Sequence, residues 1–515
     1  MNNSSSRNGS GKRLSKKELR QKKKVERTVG LALTGVTLIF MGIFMGLLTF
    51  LNVLPTIYVV AIIVVLFLIL MYIFLSQFTK AHMIGKVISV VLSIVMAIGC
   101  YYLTVTHNML SSITQGGTEL DVMSIIVLSD NKATSVNDTG SYVYGVNGTL
   151  NTDLTKETID HVNEELKTTV ETKEYENWSS LVDALYLGEV DAIVFNESQR
   201  TTMEETYISF STDTKVLDYK EIENEVVIEV PDKEITDVSF TVLISGTDSE
   251  GKIGSKGRSD VNILATVNPE THQILLITTP RDLWVKLYYG DGTDSGSAKD
   301  KLTHASTNGM ACSISTLEAL YEVDIDYYVR LNFTGLEKLV DALGGIDVES
   351  DYAFTSYAQT HTYKKGMNHM DGYAALIFAR ERHAFADGDF QRSRNQIKVI
   401  QAIADKALSV TMLTNYSGIM ESLSDVVVTN IPQEQMTKLV KMQLSEMPSW
   451  SFKSYTMTGV TGSEYCITDS SKPLSIVYPD EDALALAKAK INAVEEGKDP
   501  DLITTAPANS STTAQ

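Results

Sequence analysis

Between residues 29 and 106 the chain has no aspartate or glutamate, and Lys80 and Lys86 are its only lysines there. A stretch with almost no charge excludes a soluble surface, and it accounts for a mean hydropathy of -0.01 in a chain that is 21% charged. It divides into three apolar runs, Val29 to Leu51, Thr56 to Leu75 and Ile84 to Leu103, each near the ~20 residues that a bilayer-spanning helix needs. Buried soluble helices would keep a polar or packing face that these runs lack, so three transmembrane helices are expected. Cysteine is scarce as well, three in 515 residues. Cys100 falls in the third run, leaving Cys312 and Cys466 as the one possible disulfide, which nothing in the spacing demands. Arginine is the third scarcity: beyond residue 106 there are eight, against 24 lysines.

What is present at the start is positive charge. Residues 1 to 28 carry ten Lys or Arg against two Glu, which by the positive-inside rule keeps that end in the cytoplasm. Three spans then place everything after Leu103 outside a multi-pass cell-membrane protein. The first run is too long and too embedded among others for a cleaved signal peptide. Beyond residue 106 there are 32 basic and 62 acidic residues, and an acidic exterior of that size argues against a nucleic-acid ligand. The basic tail reads as a topogenic anchor at the lipid bilayer, although DNA shares its charge requirement.

Composition and periodicity divide the chain into a basic tail (1–28), three spans (29–105), a small extracellular accessory domain (106–237), a larger catalytic domain (238–480) and a helical or disordered polar tail (481–515). The class is α/β. In the accessory domain Val122 to Leu128 and Asp191 to Phe195 read as strands, with helices over Lys156 to Thr169 and Trp178 to Leu187. In the larger domain, strands over Val238 to Ser245, Val261 to Val267 and Gln273 to Thr279 alternate with helices over Met310 to Leu320, Thr334 to Leu343, Asp371 to Ala379 and Asp389 to Leu408. Strands over Tyr327 to Leu331 and Ile346 to Val348 complete a mixed sheet flanked by helices.

The chemistry concentrates in this domain. If the turn at Asn268 to His272 closes a hairpin, facing residues have numbers summing to roughly 541, which sets Asp260 beside Arg281. Asp248 follows the preceding strand, so Asp248, Arg258, Asp260 and Arg281 can meet at one end of the sheet. Carboxylates suit a hard cation and guanidinium forks suit phosphate; a surface salt-bridge network fits the same spacing. Six of the eight scarce arginines are Arg258, Arg281, Arg380, Arg382, Arg392 and Arg394. Choosing the planar, bidentate cation where lysine is otherwise preferred points to phosphate geometry. Arg392 and Arg394 fall in the first turns of a helix, where the helix dipole disfavours a cation, so a bound anion or Asp387 and Asp389 must compensate. Asp389 could activate an acceptor hydroxyl and equally could cap the helix. His304 and His383 read as structural or rim residues. Stripes such as Leu336, Leu339, Val340 and Leu343, or Ile397, Ile400 and Ile403, could line an apolar slot or simply form core.

The ordered series Gly246-Thr-Asp248, Gly257-Arg-Ser-Asp260 with Asn262, Thr279-Pro-Arg-Asp282, Lys299-Asp-Lys-Leu-Thr-His-Ala305, Leu343-Gly-Gly-Ile-Asp347, Ala379-Arg-Glu-Arg382 and Gln391-Arg-Ser-Arg-Asn-Gln396 resembles the motif set of the LytR-CpsA-Psr family. Three spans and an intervening domain resemble its streptococcal capsule-locus branch. The resemblance implies a magnesium-dependent phosphotransferase that attaches capsular or other anionic glycans from an undecaprenyl diphosphate carrier to peptidoglycan. It implies Asp248 and Asp260 as metal ligands, and Arg258, Arg281, Arg380, Arg382, Arg392, Arg394 and Gln396 as binders of the donor. Arg258, Arg281 and Asp389 would carry the catalytic roles. A membrane-bound regulator of capsule or wall-polymer genes, and a polyprenyl diphosphate hydrolase, are the competing readings.

Overall fold

The computed structural model describes residues 15–114, 118–226, 228–247, 254–407 and 416–505. Contacts divide the chain into two compact units, Met1–His107 with Thr437–Met447, and Asn108–Met436 with Pro448–Gln515.

The first unit contains helices Lys16–Leu51 and Thr56–Ser76, and most of His82–Ile113, all three long and apolar enough to cross a membrane. The first begins well before its apolar run. Ser15 caps it reciprocally with Glu18, the Glu18 carboxylate accepting from the Ser15 N–H at 2.7 Å. It ends at Asn52, whose left-handed φ of 53° breaks the helix before Pro55.

The second unit opens with a five-stranded sheet, in the order Glu171–Tyr175, Val143–Asn147, Ala192–Asn196, Thr118–Leu128, Thr214–Glu225. Its first three strands run parallel and the last two pair antiparallel. Alternation along Thr118–Leu128 sends Met123, Ile125 and Val127 into one core with Val162, and Ile126 into another with Trp178 and Leu181. Helices therefore cover both faces.

A six-stranded mixed sheet follows, in the order Val427–Thr429, Tyr327–Asn332, Phe240–Thr247, Ser259–Asn268, Gln273–Thr278, Ser451–Thr456. Its central hairpin has the expected register: Ile263 faces Thr278 and Leu264 faces Ile277, pairs whose numbers sum to 541. One sheet face carries Leu243, Leu264, Leu275 and Ile277 into the main core with Leu317 of helix Met310–Tyr321. Helix Glu481–Glu495 adds Leu484, Ala487, Ile491 and Val494 to that same core, so the packed structure continues past residue 480. Helices Phe333–Ala342, Gly372–Arg380 and Gly388–Ala407 follow the expected pattern.

One sequence expectation differs from the structure, and one question that the sequence left open, the pairing of Cys312 with Cys466, is answered. Ile346–Ser350 lies outside the sheet and pairs with Gly366–Met370 in a separate ribbon, because the Gly344–Gly345 turn leads it away; the sheet edges are the unassigned Val427–Thr429 and Ser451–Thr456. Cys312 and Cys466 are buried free thiols.

Candidate functional site

The expected residues gather where strand Phe240–Thr247 ends, strand Ser259–Asn268 begins and strand Gln273–Thr278 ends, along the edge formed by the termini of the central strands. Arg258 directly precedes strand Ser259–Asn268, of which Asp260 is the second residue, and Arg281 follows the next strand across the hairpin. The register brings Arg281 Nη1 within 2.8 Å of Asp260 Oδ1. Two further segments close over this edge. Helix Gly372–Arg380 ends at Arg380 and leads into Arg382, while helix Gly388–Ala407 starts nearby and offers Arg392 from its second turn. Together they wall a cavity of about 420 Å³ that presents Arg258, Arg281, Arg380, Arg382 and Arg392. A cavity presenting five guanidiniums is suited to an anion.

Arg392 and Arg394 do not share a fate. Arg392 is 5% exposed and pairs with Asp389, three residues earlier, so the aspartate offsets the unfavourable helix dipole, as expected. Arg394 is two residues further round, about 200° on a helix of 3.6 residues per turn. It pairs with Asp387 and donates to Gln391 Oε1 at 2.8 Å, and it is absent from the cavity wall. The helix thus turns Arg394 away from this cavity, toward Asp387 and Gln391. Gln396, one turn past Arg392 on the inner face, also lies away from the arginine cavity and lines an adjoining apolar slot. Asp389 itself is held by Arg392 rather than standing in the cavity wall. Asp248 lies outside the described residues.

Ionisation follows from these pairings. Burial opposes the charge on Asp260, but Arg281, Arg392 and Arg258 together hold its carboxyl below the usual carboxylate range. Asp282 is depressed in the same way, burial being outweighed by Arg281, Lys301 and Arg392. For Arg281, Asp260 and Asp282 outweigh burial and raise its pKa, so it stays charged at any physiological pH.

Three charged participants escaped the sequence reading. Lys301 Nζ lies 3.6 Å from Asp282 Oδ1 and 3.4 Å from Glu205 Oε2. Glu205, which also pairs with Arg258, comes from helix Arg200–Thr206 of the accessory fold. Burial would raise its pKa, but Lys301 and Arg258 hold the carboxyl below its ordinary value. Lys301 and Asp282 sat inside quoted motifs and could have been found there. Glu205 had no signal, since only folding brings it some fifty residues back to Arg258. His304 is fully buried, its Nδ1 2.6 Å from Asp300, whose other oxygen accepts from the Thr468 N–H and hydroxyl; it anchors the strand that delivers Lys301.

The slot beside the arginines is lined by Ile244, Val261, Leu331, Phe333, Leu336 and Ile400 among others, and measures about 50 Å³. It lies between the second sheet face and helices Phe333–Ala342 and Gly388–Ala407. Ala379 lines the slot and Arg380 lines the cavity, so the end of one helix contributes to both the apolar and the cationic compartment. Leu336 and Ile400, two members of the expected stripes, face it.

A family model described as the LytR_cpsA_psr family matches residues 201–477, more than half of the 515 residues. The chain belongs to that family. Among curated members, it is 35% identical over 202 residues to the polyisoprenyl-teichoic acid–peptidoglycan teichoic acid transferase TagU of Bacillus mycoides, covering 39% of this chain and 63% of that one. The TagU of Enterococcus faecalis is 36% identical over 203 residues, covering 39% and 64%. The match thus spans somewhat under two thirds of these relatives. The crystal structure of B. subtilis TagV aligns with 27% identity and a TM-score of 0.42, covering 51% of this chain and 99% of TagV.

Proposed function

We propose that this LytR_cpsA_psr protein is an outward-facing, membrane-anchored phosphotransferase that moves a glycan, with its phosphate, from a polyprenyl diphosphate carrier to peptidoglycan. The observation that carries the reading is that one helix end supplies Arg380 to a five-arginine cavity and its neighbour Ala379 to an apolar slot. A ligand that needs both is a lipid with a multiply charged head. The TagU relatives, named for polyisoprenyl-linked teichoic acid and peptidoglycan, add support. A capsular polysaccharide is the finer assignment of the glycan.

In the reaction a sugar hydroxyl of the acceptor attacks the phosphorus that bears the glycan. The bond from that phosphorus to the bridging oxygen breaks, prenyl monophosphate leaves, and the hydroxyl proton passes to a base or to solvent. Little covalent help is required; positioning and neutralisation of charge do most of the work. Arg258, Arg281, Arg380, Arg382 and Arg392 supply both, and Asp260 and Asp282 keep Arg281 oriented.

Magnesium belongs to the proposal. Among the described residues no three carboxylate or imidazole ligand atoms converge at the cavity, and Arg281 holds one oxygen of Asp260. This donor set fits a cation that takes few protein ligands and completes its octahedron with phosphate oxygens and water. Asp260, with Asp248 as its expected companion, would hold it; the ion would offset negative charge on the diphosphate. The test is transfer by the full chain in detergent, from a synthetic polyprenyl diphosphate glycan to peptidoglycan fragments, with magnesium and then with excess chelator. Product formation that stops in chelator is expected. Turnover unchanged in chelator would remove the metal, and no turnover under any condition would remove the transferase.

A further inference from the structure

On the other side of Arg258 and Arg380 lies a second cavity, of about 680 Å³, whose wall these same two arginines share. That volume is within the ~300–1,000 Å³ of small-molecule sites. The accessory domain builds half of it, through Glu197, Thr201 and Glu204; the first turns of helix Phe333–Ala342 supply Thr334 and Glu337 on the other side. Phe333 lines both this cavity and the apolar slot, with the Arg380 guanidinium 4.7 Å from the centre of its ring. Three compartments therefore meet around Phe333, Arg380 and Arg258, and the third has no occupant in the reading above.

Its charge differs from that of its neighbour. Arg200 is gripped at two points by Glu197, at 2.5 and 2.7 Å. Lys256 is held by the buried Asp121 at 2.7 Å, and Arg258 by Glu205. Three of the four cations lining this cavity, Arg200, Lys256 and Arg258, are thus matched by carboxylates, whereas next door five arginines stand against Glu205, Asp260 and Glu381. A polyanion gains little here. The remaining surface is hydroxyl and carboxylate, from Ser198, Thr201, Ser255, Thr334, Glu204 and Glu337, interrupted by the apolar faces of Phe333 and Leu376. Carboxylates and hydroxyls accept hydrogen bonds from alcohols, and apolar patches suit the faces of pyranose rings.

We infer that this junction cavity is a subsite for an uncharged, hydroxyl-rich pyranose chain attached to, or attacking, the phosphate held by Arg258 and Arg380. The inference rests on the transferase reading, and it gives the accessory domain a part in substrate recognition. The sugar could come from the donor glycan or from the acceptor strand, and the chemistry is the same.

The test is hydrogen–deuterium exchange on the full chain in detergent with three probes: an unglycosylated short-chain prenyl diphosphate, the same lipid bearing a neutral disaccharide, and a neutral N-acetylglucosamine tetrasaccharide in place of the acceptor strand. Slowed exchange over 197–204 and 333–337 is expected with the glycosylated lipid beyond the bare lipid, if the donor sugar occupies the cavity. Slowing with the tetrasaccharide identifies the acceptor. In parallel, Thr201→Trp, which fills the cavity from the accessory side, should raise KM for the matching substrate about tenfold and leave binding of the bare lipid unchanged. No slowing with either sugar probe, together with unaltered KM values in a folded Thr201→Trp protein, overturns the subsite. Should the variant not fold, the exchange result on the unaltered protein decides alone. Failure of the bare lipid to protect residues 380–392 would instead count against the transferase reading, whatever the sugar probes show.

Discussion

At the scale of single residues, the site depends on guanidinium geometry rather than on charge alone. Arg258, Arg281, Arg380 and Arg382 can each present two parallel N–H groups to phosphate oxygens, which a lysine ammonium cannot. Each change to alanine should cost roughly 2–4 kcal/mol of transition-state stabilisation, on the order of a hundred-fold or more in kcat/KM, and each change to lysine should recover only part. Arg394→Ala provides the internal contrast: because the helix turns it toward Asp387 and Gln391, the rate should stay within about threefold of the unmodified enzyme. Steady-state kinetics on the five variants checks this, and equal losses at Arg394 and Arg380 would mean that the cavity is wrongly drawn. Asp260 carries a pH signature. Its folded pKa is depressed, so its stabilising contribution is complete above the ordinary carboxylate value of ~4 and is lost as pH falls through the lower folded value. Asp260→Asn should therefore destabilise the protein at pH 7, by roughly 3–5 kcal/mol for a broken buried pair. The two proteins should converge in thermal unfolding as the solution is acidified toward pH 3. A gap that persists unchanged in acid would show that Asp260 acts through shape, not charge.

At the scale of elements, the second face of the six-stranded sheet separates two roles. Ile244, Val261 and Leu331 project toward helices Phe333–Ala342 and Gly388–Ala407 and leave a slot of about 50 Å³ between them. A prenyl chain would have to part these helices from the sheet to enter, so the slot should be easy to block. Leu336→Trp should raise KM for a long-chain prenyl diphosphate donor at least tenfold while leaving the binding of inorganic diphosphate to the arginines unchanged. The added bulk should also cost about 1–3 kcal/mol of stability. Calorimetric titration of both ligands makes the comparison; parallel loss of both would mean that slot and cavity do not act separately. The hairpin that creates this arrangement was legible in advance. Its turn residues and alternating strands fixed the register that sets Asp260 against Arg281. The helix phase was less legible: Arg392 and Arg394 look equivalent in sequence, and only the side of the helix that packs on the sheet distinguishes them.

At the scale of the whole molecule, an ion pair and buried hydrogen bonds tie the region of the five-stranded sheet to that of the six-stranded sheet within one compact unit. Glu119 accepts from Arg330 at 2.8 Å and from the Met310 N–H at 2.9 Å, largely away from water. Ser179 and Thr206 both donate to Asp469 at 2.7 Å. Glu119→Gln leaves Arg330 without its anion and should destabilise the protein by roughly 3–5 kcal/mol, read as a lower thermal midpoint and faster exchange along both domains. A shift confined to the accessory domain would mean that it docks loosely. Topology belongs to the same scale. With ten cations at its start and three spans, the chain should lose residues beyond 106 when protease is added to wall-stripped cells, and keep the segment around Arg20. Survival of the Arg380 region under those conditions would reverse the orientation and remove access to the wall.

The sequence by itself determined the spans, the α/β class, the hairpin and the group of arginines. Each of these follows from local pattern: run length, alternation, turn residues and the choice of arginine over lysine. Tertiary structure alone decided that Arg394 turns toward Asp387, that Gln396 faces the apolar slot, that Ile346–Ser350 abandons the sheet and that the distant Glu205 reaches Arg258. Those outcomes depend on which face of a helix is buried and on which surfaces of two domains meet. Such long-range contacts are settled by the free energy of the whole packed chain, which no local window of sequence contains.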